Sequence, residues 1–265
     1  MTTRITPLGN VGYIPTHGET TCFLVEMQEE LIFIDSGTGI KKLNELKYSK
    51  IIEDHEQINF IFTHYHLDHV IGLSYWPKFF NKKKINIYAP QHPLIDFSFN
   101  TMIENLLAPP LFSLPFNKFP MQIKVIPFNN PRLSIGNIEI LTLHQDHPGG
   151  SVTYRFNDEF VFATDTGVNN NTFTFAEGVS LLIHEVWFDE NDSKIVKEQY
   201  PHVLKEHSIA PDLALSFQKS NIEKLSLTHM NPEYDENRLN NLYNYVKNEC
   251  SEFIELKEDC TYKLS

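Results

Sequence analysis

Apolar residues along this chain fall mostly into short runs of β-branched and aromatic side chains separated by polar turns. Residues 3–8, 21–27, 31–35, 58–63 and 85–89 have the length and composition of strands. Helices are predicted between them: over 38–49 after a turn containing glycine, over 68–80 behind a capping aspartate, and over 93–107, where apolar residues recur at mixed spacings of three and four. The pattern then breaks. Six of the 15 prolines lie between 108 and 131, in a stretch that includes LLAPPLFSLPFNKFP, and no regular helix survives that density of proline. This segment is expected to be an irregular excursion packed on the body or, because it is unusually apolar, a wall of the active site or a subunit contact. Strands resume at 122–128 and 138–144. The runs 151–156 and 159–164 flank Asn157-Asp158 and predict a tight two-residue hairpin. Further buried strands are predicted at 181–185 and 224–228, and helices at 211–219 and 235–249. Hairpins grouped with inserted helices point to two mixed sheets packed together and covered by helices. One domain spanning 1–265 is expected, since no Gly/Ser linker, low-complexity tract or solenoid repeat interrupts the pattern.

Charge narrows the partners such a body can have. Against 34 Asp and Glu there are only 22 Lys and Arg, a formal net charge of −12, which argues against a surface built to neutralise nucleic-acid phosphates. The one basic cluster, Lys82-Lys83-Lys84, reads as a solvated turn. Cys22, Cys250 and Cys260 include no CxxC pair, so they indicate neither a disulfide framework nor a thiolate zinc site and fit a reducing compartment. The first ten residues have no apolar core of signal-peptide length, and no later stretch approaches the ~18 apolar residues of a membrane span. A cytoplasmic protein with no membrane partner is the expectation.

The 12 histidines change the picture most, being roughly twice ordinary usage for this length. Three of them stand in Phe62-Thr63-His64-Tyr65-His66-Leu67-Asp68-His69, directly after an apolar strand. Side chains at i and i+2 of an extended segment share a face, so His64 and His66 can converge on one ion. Asp68 and His69 follow the strand end, where they can address a second ion. Imidazole and carboxylate donors favour Zn²⁺ or Mn²⁺, with Fe²⁺ compatible, and the absence of nearby thiolate argues against a closed structural zinc site. Further polar residues sit at the mouths of apolar strands: His147 in HPGGSVTYRF, Asp165 ending FVFATD, and His229 ending LSLTH. Each alone would more often be a cap or turn residue; beside the first motif they become candidate ligands. His184 should point to the face opposite Glu185 and is read as structural. His17, His144 and His202 are ambiguous, with a solvated loop histidine favoured for His17.

From the opening strand, through Ile32-Phe33-Ile34-Asp35-Ser36-Gly37, to Asn231 the chain resembles the metallo-β-lactamase fold superfamily. The resemblance implies a four-layer αββα sandwich, an α/β fold, with two divalent metal ions at one edge of the sheets. It implies that His64, His66 and His147 hold one ion, that Asp68, His69 and His229 hold the other, and that Asp165 bridges them. Leu182-Ile183-His184-Glu185-Val186-Trp187 and Lys205-Glu206-His207-Ser208 look like the His-Glu-Ala-Thr and His-Ser-Thr loops of the tRNase Z and cyclic phosphodiesterase branch, in which a Glu supports a catalytic His. HYHLDHVIGLS is also similar to the signature of class II cyclic-nucleotide phosphodiesterases. Val186-Trp187 and Ile209 depart from those patterns, which bears on fine positioning but leaves Glu185 and His207 intact.

The expected activity is therefore metal-dependent phosphodiester hydrolysis by a bridging hydroxide on the dinuclear site. His207 is the acid for the leaving alkoxide, Glu185 its orienting partner, and Asp68 a further hydrogen-bond acceptor for the nucleophile. Only the 17 residues from 148 to 164 separate His147 from Asp165, which leaves no room for the extruded arm that tRNA-processing members commonly carry there. With the acidic balance, that favours a small phosphodiester, of cyclic-nucleotide type for example, over a tRNase Z-like 3′ endoribonuclease. A lactonase or thioesterase of the same fold would share the metal ligands without needing the Glu185–His207 pair. A redox di-iron site is disfavoured because His66 is retained, and a homodimer is an expectation from resemblance alone.

Overall fold

The computed structural model describes residues 2–264. Along the first half run β1 (Arg4–Gly9), β2 (Cys22–Met27), β3 (Glu30–Ile34), α1 (Leu46–Asp54), β4 (Gln57–Ile61), α2 (Leu67–Val70), α3 (Trp76–Phe79), β5 (Lys84–Pro90), α4 (Phe99–Leu106) and β6 (Gln122–Phe128). The second half adds β7 (Arg132–Ile135), β8 (Ile138–Gln145), β9 (Ser151–Phe156), β10 (Phe160–Ala163), α5 (Asn170–Phe175), β11 (Leu181–Glu185), α6 (Ser193–Gln199), α7 (Ala210–Gln218), β12 (Leu225–Thr228), α8 (Glu236–Glu249) and β13 (Tyr262–Lys263). Among the described residues these strands form a seven-stranded sheet in the order β13-β1-β2-β3-β4-β5-β6 and a six-stranded sheet in the order β12-β11-β10-β9-β8-β7. Both are mixed: β3 to β6 pair in parallel while β1, β2 and β3 pair antiparallel, and β10 to β12 pair in parallel while β7 to β10 pair antiparallel.

Strand alternation explains the layering. Phe23, Val25, Ile32 and Ile34 face the other sheet and meet Tyr154, Phe156, Phe160, Phe162 and Ile183. Their neighbours Leu24, Leu31 and Phe33 point the opposite way, onto Ile40, Trp76 and Phe80. Val161, Ala163 and Leu182 likewise face outward onto Leu213 and Ala214 of α7 and Leu242 and Val246 of α8. This is the α/β, αββα sandwich that the resemblance implies.

Several local expectations are corrected. The predicted helix 38–49 is a 3-10 turn over Thr38–Asn44, broken where Glu45 is extended, with α1 continuing to Asp54. The predicted helix 68–80 divides into α2, a 3-10 turn over Ile71–Tyr75, and α3. Pro77 lies in the first turn of α3, where its missing N–H is tolerated, and it could not have continued a longer helix. Of 93–107 only Phe99–Leu106 is helical, capped by Ser98 Oγ accepting from Thr101 N–H. The hairpin loop between β9 and β10 has three residues rather than two, because Phe156 pairs with Phe160 and Asn157 takes a positive φ. The short elements β7, α5, α6 and β13 are additions to the sequence reading. The proline-rich excursion before β6 lays Phe112, Leu114, Phe116, Phe119 and Met121 over the outer face of the first sheet. No helix among the described residues is long and apolar enough to cross a membrane.

Candidate metal centre

Loops leaving the carboxyl ends of β3, β4, β8, β10, β11 and β12 meet at one edge of the sandwich. There the structure gathers every candidate ligand. Ligand atoms of His64, His66, His147 and Asp165 lie within 4.8 Å of one another, as do those of Asp68, His69 and His229. Asp165 stands between the groups. One oxygen is 3.5 Å from His147 Nε2, 3.5 Å from His229 Nε2 and 3.8 Å from His64 Nε2, and the other is 3.3 Å from His69 Nε2. Asp68 Oδ2 is 3.2 Å from His69 Nε2 and 3.3 Å from His229 Nε2.

A residue given no role by the sequence reading organises this cluster. Asp35, fully buried just past β3, accepts from Thr63 N–H at 2.7 Å and from Thr63 Oγ1–H at 2.8 Å. Its second oxygen also accepts from His69 Nδ1–H at 2.8 Å. His64 Nδ1 in turn lies 3.1 Å from Thr63 Oγ1. One carboxylate thus fixes the protonated edge of two imidazoles and turns both Nε2 lone pairs inward. The signal was a lone acid ending the apolar run Ile32-Phe33-Ile34, whose partners 28 to 34 residues away no local pattern reveals.

These residues fit divalent cations. The Nε2 atoms of His64 and His69 are buried without a hydrogen-bond partner among the described residues. His147 Nε2 and His66 Nδ1 face each other at 3.1 Å, as ligands converging on one point would. Burial opposes ionisation of Asp68 and Asp165, yet the facing imidazoles outweigh it and hold both carboxyls well below the ordinary range. Such buried anions, among nitrogen donors and without thiolate, form the set that suits Zn²⁺ or Mn²⁺.

At the cluster's edge lies a second constellation. Glu185, fully buried at the end of β11, accepts from Asp165 N–H at 3.1 Å and from Ser208 N–H at 2.7 Å. His207 Nδ1–H donates to it at 3.1 Å, and His229 Nδ1 is 3.4 Å away. Burial works against a protonated His207, but Glu185 more than offsets this and raises its pKa above the ordinary histidine value. Trp187, at one of the three positions that depart from the expected loop patterns, stacks on the His207 ring at 4.5 Å and 21°. The other histidines lie apart: His184 is buried with Nδ1 2.8 Å from Glu185 O and its ring on Phe173, while His17, His144 and His202 are exposed.

A family model described as the metallo-beta-lactamase superfamily matches residues 15–206. Ribonuclease Z of Prochlorococcus marinus subsp. pastoris is 32% identical over 80 residues, which are 30% of this chain and 24% of that protein. The match therefore spans about a quarter of that relative's length. Ribonuclease Z of Azobacteroides pseudotrichonymphae is 23% identical over 245 residues, 80% of this chain and 81% of the relative. Among solved structures, the metallo-beta-lactamase fold protein YhfI of Bacillus subtilis superposes with a TM-score of 0.75 at 20% identity, covering 99% of both chains. A diphosphatase of the PhnP family gives 0.70 at 12% identity, covering 99% of this chain and 98% of that one. The short form of human tRNase Z gives 0.64 at 17%, covering 99% of both. At these identities the structural likeness speaks for the fold. With a family model covering most of the chain, and with the histidines and aspartates of that fold gathered at one edge of its two sheets, this protein belongs to the metallo-beta-lactamase superfamily.

Proposed function

We propose that this protein is a hydrolase that cleaves a small phosphodiester with two divalent cations, Zn²⁺ or Mn²⁺. His64, His66 and His147 would hold one cation, Asp68, His69 and His229 the other, with Asp165 shared. When bound, the cations supply Lewis-acid polarisation of the phosphoryl oxygens and ease deprotonation of water. The chain's own residues do the rest. Asp68 accepts a hydrogen bond from the attacking water and orients it. His207, held through Nδ1 by Glu185, keeps Nε2 free to give its proton to the departing alkoxide. Trp187 limits rotation of that ring.

The observation that carries this reading is the Glu185–His207 contact of 3.1 Å at the edge of the donor cluster. A thiolate leaves a thioester without strong need of such an acid, whereas an alkoxide expelled from a phosphodiester needs its proton. A tRNA 3′-processing activity is the second reading, favoured by the names of the Ribonuclease Z relatives. Against it stand the net charge of −12 and the β9–β10 hairpin, which takes up most of the span from His147 to Asp165.

The test is a substrate panel on protein loaded with Zn²⁺ or Mn²⁺: an aryl phosphodiester, 2′,3′- and 3′,5′-cyclic nucleotides, a precursor tRNA and an acyl-homoserine lactone. Turnover of the small phosphodiesters is expected. Cleavage of the lactone alone, or of the tRNA alone, would overturn the reading.

A further inference from the structure

A cavity of about 460 Å³ opens beside the donor cluster, within the size range of small-molecule sites. His64 and His66 form its end nearest the cluster, and Ile95, Phe97, Met102 and Asn105 line its walls. Among the described residues, no Lys, Arg, Asp or Glu lines it. The nearest charged neighbours of these wall residues along the chain, Asp96 and Glu104, are exposed and acidic.

The walls are held in place by the fold. Tyr65 Oη–H donates to the carbonyl of Pro90 at 2.7 Å, and its ring meets Phe99 edge-on at 5.8 Å. Asp96 N–H donates to the carbonyl of Gly149 at 2.8 Å, which ties the lip of the cavity to the loop that carries His147. Gly150 permits that close approach: its φ is +83°, and a β-carbon there would come within 2.7 Å of the Leu94 carbonyl oxygen. At the rim, Phe97 remains 62% exposed, a large aromatic side chain beside an apolar hollow. Water covers such a surface poorly, and a flat apolar ring covers it well.

We infer that this cavity is the subsite for an uncharged aromatic group, a nucleobase or an aryl ring, carried by the phosphodiester that the metal centre cleaves. The inference rests on the phosphodiesterase reading and adds what the substrate's organic part must be. An aromatic ring is desolvated against Ile95, Phe97 and Met102, while the Asn105 amide can both donate to and accept from a polar ring edge. A flanking nucleotide of a polynucleotide would instead bring a second phosphate toward Asp96 and Glu104, without a cation on the cavity wall to receive it. The subsite thus selects low-molecular-weight esters over RNA.

The decisive comparison uses two cyclic esters in which the same bond breaks: uridine 2′,3′-cyclic phosphate and the corresponding cyclic ribose phosphate lacking the base, with hydrolysis followed by phosphorus NMR. The base-bearing ester is expected to have a kcat/KM at least about tenfold higher, the scale of burying one ring. Met102→Trp, which fills the cavity, and Phe97→Ala, an exposed position where folding is not at stake, should each shrink that ratio. Uridine should bind the metal-free wild-type chain in saturation-transfer NMR and lose its signal with Met102→Trp. Equal kcat/KM for both esters with no uridine signal would overturn the subsite while leaving the phosphodiesterase reading standing. So would variants that slow both esters by the same factor. Turnover of neither ester, with uridine still bound, would support the subsite and sink the phosphodiesterase reading instead.

Discussion

Asp35, Asp165 and His229 share an unusual backbone, with φ of +60°, +51° and +52°. Each lies within two residues of the end of a parallel strand, and none is glycine, so each carries the cost of a left-handed conformation. The turn it produces aims a polar side chain across the sheet edge, where an extended residue would have pointed into one of the apolar layers. The residue-level predictions follow from who touches whom. His207→Ala should lower phosphodiester turnover by about 10²–10⁴-fold while bound metal, measured by elemental analysis, stays at the wild-type amount. Glu185→Gln should disturb both quantities, because Glu185 reaches His229 as well as His207. Asp35→Asn removes the anion that orients His64 and His69, and metal affinity measured by chelator competition should fall about 10–100-fold. Unchanged affinity would remove Asp35 from the site.

Elements are joined at this edge by close backbone packing as well as by side chains. The loop after β3 runs against α2 and the 3-10 turn behind it, with Ser36 N–H donating to the His69 carbonyl and Gly72 N–H to the Ser36 carbonyl, both at 2.8 Å. A β-carbon on Gly37 would collide with the carbonyl oxygen of Asp68, so this glycine sets how near the ligand-bearing helix can come. Gly37→Ala should therefore destabilise by about 1–3 kcal/mol in denaturant melts and also weaken metal binding, since the displaced backbone belongs to Asp68. Asp235→Ala is the contrasting case: it removes the side chain that accepts from Arg238 N–H and caps α8, on the outside of the second sheet. It should cost about 1 kcal/mol and leave turnover unchanged. A loss of activity there would mean that the helix layer and the metal edge are coupled.

For the whole molecule, folding brings ionised Asp68 and Asp165 into a buried cluster of imidazoles, and a cation that binds only this assembled set must stabilise the folded state. Addition of Zn²⁺ or Mn²⁺ to chelator-treated protein should raise the unfolding free energy by about 2.7 kcal/mol at a hundredfold excess over Kd. Asp165→Ala should abolish most of that gain, because the shared ligand is lost from both groups. An equal rise in that variant would place the stabilising cation elsewhere. The net charge of −12 acts at this scale too: any tRNA association measured at physiological salt should be weak beside that of a protein with a cationic face.

By itself the sequence determined the fold class and the candidate metal donors. The β-branched and aromatic runs at 21–27, 31–35, 151–156 and 159–164 already mark strands, because that composition is local and needs no partner. The spacing in Thr63-His64-Tyr65-His66-Leu67-Asp68-His69 likewise announces metal donors over seven consecutive residues. Helix boundaries at 68–80 and 93–107 were legible only in part: Pro77 is a local break, whereas Gly72 packed on the backbone of Ser36 and the lip at 94–97 tied to Gly149 are tertiary. Asp35 could not be assigned a role for a tertiary reason too, as its partners Thr63 and His69 reach it only through the β3–β4 pairing. Only the tertiary structure decided how the donors converge and where the apolar cavity opens beside them, because both depend on contacts between strand ends far apart along the chain.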